Sequence, residues 1–311
     1  MEEDYPRSLV EFEQRFATDE ACFDYLAKLR WGDSFSCPVC ECAEFWHMKR
    51  QLRCCRACRH QTSVTAGTIF HGARKPMSLW FRAMWHITNQ KYGANAMGLQ
   101  RAISLGSYQT AWEWLHKLRR AMVRPGREML SGIVQVDETY IGGKKSGKRG
   151  RGAAGKTVVG IAVEDKKEYG IGRIRLAKLP DASGSSLDFF LNRTVASGSH
   201  IITDDWSGYT HAEDTGYSRE IWASNDLKLP HIIAALLKRW LLGTYQGAAR
   251  KSHLDYYLDE YTFRFNRRKS HSRGKLFYRL AQQALMVDPY PRATLKILDG
   301  LSTAEDEFDI G

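Results

Sequence analysis

Apolar residues recur at helical spacing near the start of the chain. Leu9, Phe12, Phe16, Phe23, Leu26 and Leu29 fall on one face, which predicts an amphipathic helix over 5–30. A second helical region over 76–124 is rich in tryptophan and is broken once, at Leu105-Gly106-Ser107; Pro125-Gly126 ends it. From 133 the period shortens to that of a strand. Ile133-Val134-Gln135-Val136-Asp137-Glu138-Thr139-Tyr140-Ile141 stops at Gly142-Gly143, and further strands are predicted at 157–163, 171–178, 199–203 and 219–223. Helices are predicted at 185–196, 230–242 and 252–264. Three strands, a helix, a strand and then more helices point to an α/β class, a mixed sheet covered by helices.

Composition sharpens this picture. The 311 residues leave room for two or three domains, and 43% hydrophobic content is that of a globular chain. A net charge of +11, from 46 Lys+Arg against 35 Asp+Glu, favours a polyanionic partner. Basic side chains that neutralise phosphates release condensed counterions. The N-terminus is acidic, with no basic and apolar leader pattern, and no apolar stretch reaches the roughly 20 residues of a membrane span. A cytoplasmic protein without membrane contact is the expectation.

All seven cysteines precede residue 60, which in such a chain argues for metal rather than disulfides. Cys37-Pro38-Val39-Cys40 and Cys55-Arg56-Ala57-Cys58 form two CxxC turns one hairpin apart. Each turn presents two thiolates toward one point, and together they complete tetrahedral zinc with no open position, so the zinc is structural. Cys42, Cys54, His47 and His60 lie nearby at poorer spacings, any one of them an alternative ligand, and buried free cysteines or a redox pair is the competing reading of the cluster.

Within the helical region, residues 93–103 read as one short helix and Tyr108-Gln109-Thr110-Ala111-Trp112 opens a second. This is a helix-turn-helix pattern. It places Gln109 and Thr110 where base edges are met, packs Trp112 and Leu115 inward, and offers Lys117, Arg119 and Arg120 to phosphates. An ordinary helical hairpin shares these spacings. The basic run Lys144, Lys145, Lys148, Arg149, Arg151, interleaved with glycine, reads as a flexible loop. It and the segment bearing Arg267 and Arg268 are expected to hold DNA backbone.

Asp137 sits inside an apolar strand, where an unpaired carboxylate is costly and calls for a cation or donor. Strand alternation points Asp137 and Glu138 to opposite faces, so only one of them serves a given site. Ile201-Ile202-Thr203-Asp204-Asp205 repeats the theme, an apolar strand ending in carboxylates. Carboxylates gathered from separate strands suit magnesium, although Asp204 alone reads equally as a solvated strand end.

The stretches Val136-Asp137-Glu138-Thr139-Tyr140-Ile141-Gly142-Gly143-Lys144 and Thr203-Asp204-Asp205-Trp206-Ser207-Gly208-Tyr209 closely resemble the ISXO-like (Merlin-related) insertion-sequence transposases. So do residues 236–247, Phe263-Arg264-Phe265-Asn266-Arg267-Arg268, and the front end from Cys37 to Phe70. The resemblance implies a ribonuclease H-like fold and DDE-type chemistry, in which Asp137 and Asp204 are the first two catalytic carboxylates and two Mg2+ or Mn2+ ions activate the nucleophile and stabilise the leaving oxygen. In the family the third residue, commonly Glu or Asn, opens a helix, and a lysine follows seven positions later. Counting back from Lys238 gives His231 here, a departure. Glu220 and Asp226 stand in reserve as acids. The implied order is an N-terminal helix and zinc ribbon (1–70), a helix-turn-helix module (71–128), a catalytic domain (129–285) and a tail (286–311). The implied partner is double-stranded DNA, both transposon ends and target, bound by a homodimer or larger oligomer at the nucleoid. The competing readings are a DNA-binding regulator with an inactive catalytic domain, and a nuclease that cuts without joining.

Overall fold

The computed structural model describes residues 3–32, 34–49, 52–142, 156–246 and 249–289. They form two compact units, Met1–Pro125 together with Lys269–Leu295, and Gly126–Arg268.

The first unit opens with α1 (Leu9–Arg15) and α2 (Asp19–Trp31). These replace the single helix expected over 5–30. Thr18 takes an extended backbone and its side chain accepts the Ala21 N–H, so it caps a new helix instead of continuing the old one. Strands β1 (Phe45–His47), β2 (Arg53–Cys55) and β3 (Gln61–Thr62) form a small antiparallel sheet. Beneath it the Arg53 guanidinium sits 4.1 Å from the Trp31 ring and 4.4 Å from Phe45, so its charge is buried against π faces. Three helices follow, α3 (Met77–Asn89), α4 (Ala96–Ala102) and α5 (Tyr108–Ala121), packed on one another. Asn95 caps α4 by accepting the Gly98 N–H, and Trp80 of α3 stacks on Trp114 of α5 at 3.9 Å between ring centres.

The second unit is built on β4 (Ile133–Ile141), β5 (Thr157–Asp165), β6 (Ile171–Leu179), β7 (His200–Thr203) and β8 (Ser218–Ile221). Their order across the sheet is β6-β5-β4-β7-β8, antiparallel among β4, β5 and β6 and parallel from β4 to β7 and β8. Helix α6 (Gly184–Thr194) lies between β6 and β7 in sequence; α7 (Lys228–Tyr245) and α8 (Leu254–Asn266) follow β8. Alternation along the strands divides the core in two. Val134, Val136 and Ala162 pack with Leu187, Phe190 and Leu191 of α6 on one face. Ile141, Val159, Ile161 and Val163 pack with Ile233, Leu237 and Leu241 of α7 and Leu258 of α8 on the other. Every predicted strand and helix of this unit is present, with bounds shifted by a few residues.

The chain then returns to the first unit. Helix α9 (Arg273–Ala284) packs on α2, α3 and α5. Phe277 is fully buried there, with the rings of Phe12, Phe81, Phe16 and Trp85 at 5.3, 5.5, 5.6 and 5.9 Å. A Cβ on Gly274 would lie 1.6 Å from the Pro6 carbonyl oxygen, so only glycine lets the N-terminal segment lie against this helix. By compactness the unit that holds the large sheet ends at Arg268, and residues 1–125 fall in one unit with 269–295. Among the described residues no helix is long and apolar enough to cross a membrane.

Candidate active site, metal centre and nucleic-acid interface

The four predicted cysteines converge. Cys37 Sγ lies 3.6 Å from Cys58 Sγ and Cys40 Sγ 3.5 Å from Cys55 Sγ, and all four sulfurs fall within 4.8 Å of one another. Tetrahedral zinc with bonds of about 2.3 Å needs sulfurs about 3.8 Å apart, so the cage fits zinc. The Cys58 N–H draws the Cys55 thiol down to about 6, which favours the thiolate that the metal needs. Cys42 and Cys54 point to backbone carbonyls instead, of Glu44 and Arg59. With all four positions filled by protein, the zinc here is structural.

In the second unit, β4 carries Asp137 on the face covered by α7. His231, in the first turn of α7, places Nε2 3.2 Å from Asp137 Oδ2. Parallel pairing of β4 with β7 sets Gln135 opposite Ile202; carried two residues on, that register brings Asp137 level with Asp204, at the end of β7. Burial, joined by the charges of Glu138 and Asp204, raises the Asp137 carboxyl to about 6, against the Glu138 N–H, which donates to Oδ1 at 2.8 Å, and His231. Asp204 is half-buried and accepts the Trp206 N–H at 3.1 Å, whereas Asp205 is exposed. Carboxylate oxygens and an imidazole nitrogen are donor types that suit a divalent cation, and here the Asp137–His231 pair is in direct contact while Asp204 acts on Asp137 through its charge. Glu138 points to the other face, where the fully buried Tyr209 hydroxyl donates to it at 3.1 Å. Glu220, one of the two reserve acids, accepts from His200 and from Trp222 Nε1. Lys238 lies on the same helix as His231, about 10 Å farther along.

Two supporting residues escaped sequence reasoning. Gln135 is buried and accepts the Leu229 N–H of α7 at 3.3 Å while donating to Asp165 Oδ2 at 2.9 Å. It pins the start of α7, and with it His231, to β4. A polar residue two places before Asp137, on the same face of an apolar strand, was the available signal. Arg219 of β8 donates to Thr203 Oγ1 and to the Asp204 carbonyl, each at 2.9 Å, and braces the turn that carries Asp204.

The expected DNA contacts divide. Gln109, Thr110, Lys117 and Arg120 lie on α5, partly exposed. Trp112 is half-buried and Leu115 fully buried. Arg119 contradicts its expected role: it is 1% exposed and donates to the Ala94 carbonyl at 2.7 Å, tying α5 to the segment before α4. Arg268 is also committed elsewhere, donating to the carbonyls of Gly172, Phe265 and Ile171, and Arg267 lies over the Phe263 ring at 4.1 Å. Lys144, Lys145, Lys148, Arg149 and Arg151 lie outside the described residues.

The sheet has the order and mixed polarity expected of a ribonuclease H-like domain, with Asp137 in the middle of β4 and Asp204 just past the end of the adjacent parallel strand β7. Residues 129–266 match the ISXO2-like transposase domain, and residues 17–61 match the transposase zinc-ribbon domain. The chain thus carries an ISXO2-like transposase domain behind a transposase zinc ribbon. No curated protein matches it by sequence. Among solved structures it is similar to the catalytic core domain of BIV integrase, at 15% identity over 48% of this chain and 94% of that one, with a TM-score of 0.33. The simian T-cell lymphotropic virus intasome in complex with PP2A regulatory subunit B56 gamma shares 17% identity, over 57% and 70%, at 0.31. The Mos1 strand transfer complex shares 16%, over 66% and 78%, at 0.23. At these scores no residue role is carried across.

Proposed function

We propose that this transposase binds the ends of a mobile element as double-stranded DNA, cuts them, and joins the freed ends to a target at a centre formed by Asp137, Asp204 and His231. The observation that carries the reading is the approach of His231 Nε2 to Asp137 Oδ2 at 3.2 Å, across the gap between α7 and β4. His231 takes the place of the third acid. Bound Mg2+ or Mn2+ would supply Lewis-acid activation of the nucleophile and charge stabilisation at the leaving oxygen.

The chain's own residues do the rest. Asp137 and Asp204 supply the negative charge that holds cations beside a phosphodiester. The His231 imidazole offers a ring nitrogen either to a cation or to the proton of an attacking water or 3′-hydroxyl. Gln135 and Arg219 keep these groups in place before DNA arrives, so that little reorganisation is left for the chemical step. Lys238, farther along α7, is placed to meet a phosphate. The zinc ribbon and the α4–α5 pair find the DNA ends, with Gln109 and Thr110 toward base edges and Lys117, Arg120 and the basic run over 144–151 on the backbone. Action on paired ends calls for at least two copies of the chain and places the protein with the nucleoid.

The test is a donor duplex that carries an element end and a labelled strand, incubated with pure protein and Mg2+ or Mn2+. Site-specific nicking by the wild type, lost in Asp137→Asn while end binding persists, supports the reading. Nicking that survives in Asp137→Asn contradicts it.

A further inference from the structure

We infer that the first unit carries a pocket, apart from the α4–α5 pair, that takes one phosphorylated nucleoside from a splayed or single-stranded stretch of DNA. A cavity of about 580 Å3 lies between α1 with the residues just before it, α3, the end of α4 and the start of α9. That volume falls within the few hundred to about 1,000 Å3 of small-ligand sites.

Arg7, Arg82 and Arg273, from three separate elements, line it. All three are exposed, and among the described residues none has a carboxylate within ion-pair distance. His271 adds a further donor, and Glu13 is the one acid among the described lining residues. Three guanidinium groups against one carboxylate leave the cavity net positive, and a phosphate relieves this with forked hydrogen bonds. The close approach of Pro6 to Gly274 brings Arg7 and Arg273 to one rim.

A bare anion needs nothing more, yet the cavity has an apolar side. Phe12, Trp85, Leu9 and Ile103 line it, and Leu9 is 53% exposed for want of a covering partner. Trp85 is half-buried and backed on one face by Phe12 at 4.6 Å, a rigid aromatic step of the kind on which bases stack. The Asn89 amide nitrogen donates to the Trp85 carbonyl at 2.9 Å, which fixes the amide and leaves its oxygen to accept from a base edge. Cations on one side and an aromatic wall with a fixed amide on the other match a nucleotide. A stacked duplex hides its base faces, so the nucleotide must be unpaired. This inference rests on DNA being the partner, as proposed above, and adds where and in what form part of it is held.

The experiment uses full-length, zinc-loaded protein in an Asp137→Asn background, so that nothing is cut. Two labelled duplexes are compared, one blunt and one identical but for an unpaired three-nucleotide tail. The tail should tighten binding roughly tenfold. The Arg82→Gln/Arg273→Gln double variant should lose that gain, keep its blunt-duplex affinity and its melting temperature, and show a salt slope smaller by about 0.7 for each lost phosphate contact. A 5-iodouracil in the tail should crosslink to Trp85. Absence of a tail effect, or one that persists in the double variant, overturns the inference. So does inorganic phosphate displacing the tail as well as a deoxynucleoside monophosphate does, since that marks a simple anion site. The readout is binding, so a failure here leaves the active-site reading standing, and a protein that cuts no DNA leaves this inference standing.

Discussion

Replacing Asp137 by asparagine should stabilise the catalytic unit in the absence of divalent cations while abolishing its chemistry. In the folded chain the Asp137 side chain is 12% exposed, and burial together with the nearby acids raises its carboxyl from 3.8 to about 6. A raised folded-state value means that the carboxyl contributes most below pH 4, and that this contribution falls away as pH rises through about 6. At about 1.4 kcal/mol per pH unit, ionisation at neutral pH costs up to about 3 kcal/mol. Asparagine keeps the shape and can still accept the Glu138 N–H, but it carries no charge to bury. The variant minus wild-type difference in stability should therefore be near zero at pH 4 and rise to about 1–3 kcal/mol at pH 7.5. Native-state hydrogen exchange of β4 and β5 amides reads this for the catalytic unit alone, on zinc-loaded protein dialysed free of Mg2+ and Mn2+. Adding Mn2+ should then protect the wild type and not the variant. A difference that stays flat between pH 4 and 7.5, or equal protection of both proteins by Mn2+, would refute the reasoning.

The remaining predictions concern other parts of the molecule. Metal analysis should return one zinc per chain, and Cys37→Ser should lower that value and weaken binding to DNA ends while the second unit keeps its fold; zinc-free wild-type protein would end this claim. His231→Ala should reduce cleavage by at least a hundredfold without loss of DNA binding, with His231→Glu recovering part of it in Mg2+ and the wild type favouring Mn2+. Normal transposition by His231→Ala would remove the residue from the centre. Gln135→Leu strands the Leu229 N–H and should cost about 1–3 kcal/mol. It should speed exchange in the first turn of α7 and lower kcat, and unchanged exchange there would deny that Gln135 pins the helix.

The second unit was legible because its strands are rich in β-branched residues and end at turn signals, so that even Gly142-Gly143 marked the end of β4. The cysteine spacing likewise picked out the four cysteines whose sulfurs converge, because a CxxC turn can present its two sulfurs in few other ways. What stayed hidden was the partner of each helix. The amphipathic face of α9 says that Phe277 is buried, but not that Phe12 and Phe81 bury it. Arg119 was misread because a basic side chain on a helix usually faces solvent. Its place one turn after the buried Leu115 puts it on the inner stripe, where the Ala94 carbonyl receives it. The break at Thr18 was missed because the apolar spacing runs on through it, whereas capping is decided by the backbone. At the proposed active site, Asp137 announced itself as a charge in an apolar strand. The meeting with His231 depends on the Gln135 bridge, which no spacing rule encodes.

The most direct test of the central claim is sequencing of the joints made when purified protein is incubated with a labelled element end, a target plasmid and Mn2+. The account predicts that the 3′-end of the element is joined covalently to target strands by the wild type, and that no joints form with Asp137→Asn or Asp204→Asn although both still bind the end. Joints formed at wild-type frequency by either variant would contradict it. So would a wild-type protein that nicks the end but never joins it, since that is a nuclease and not a transposase.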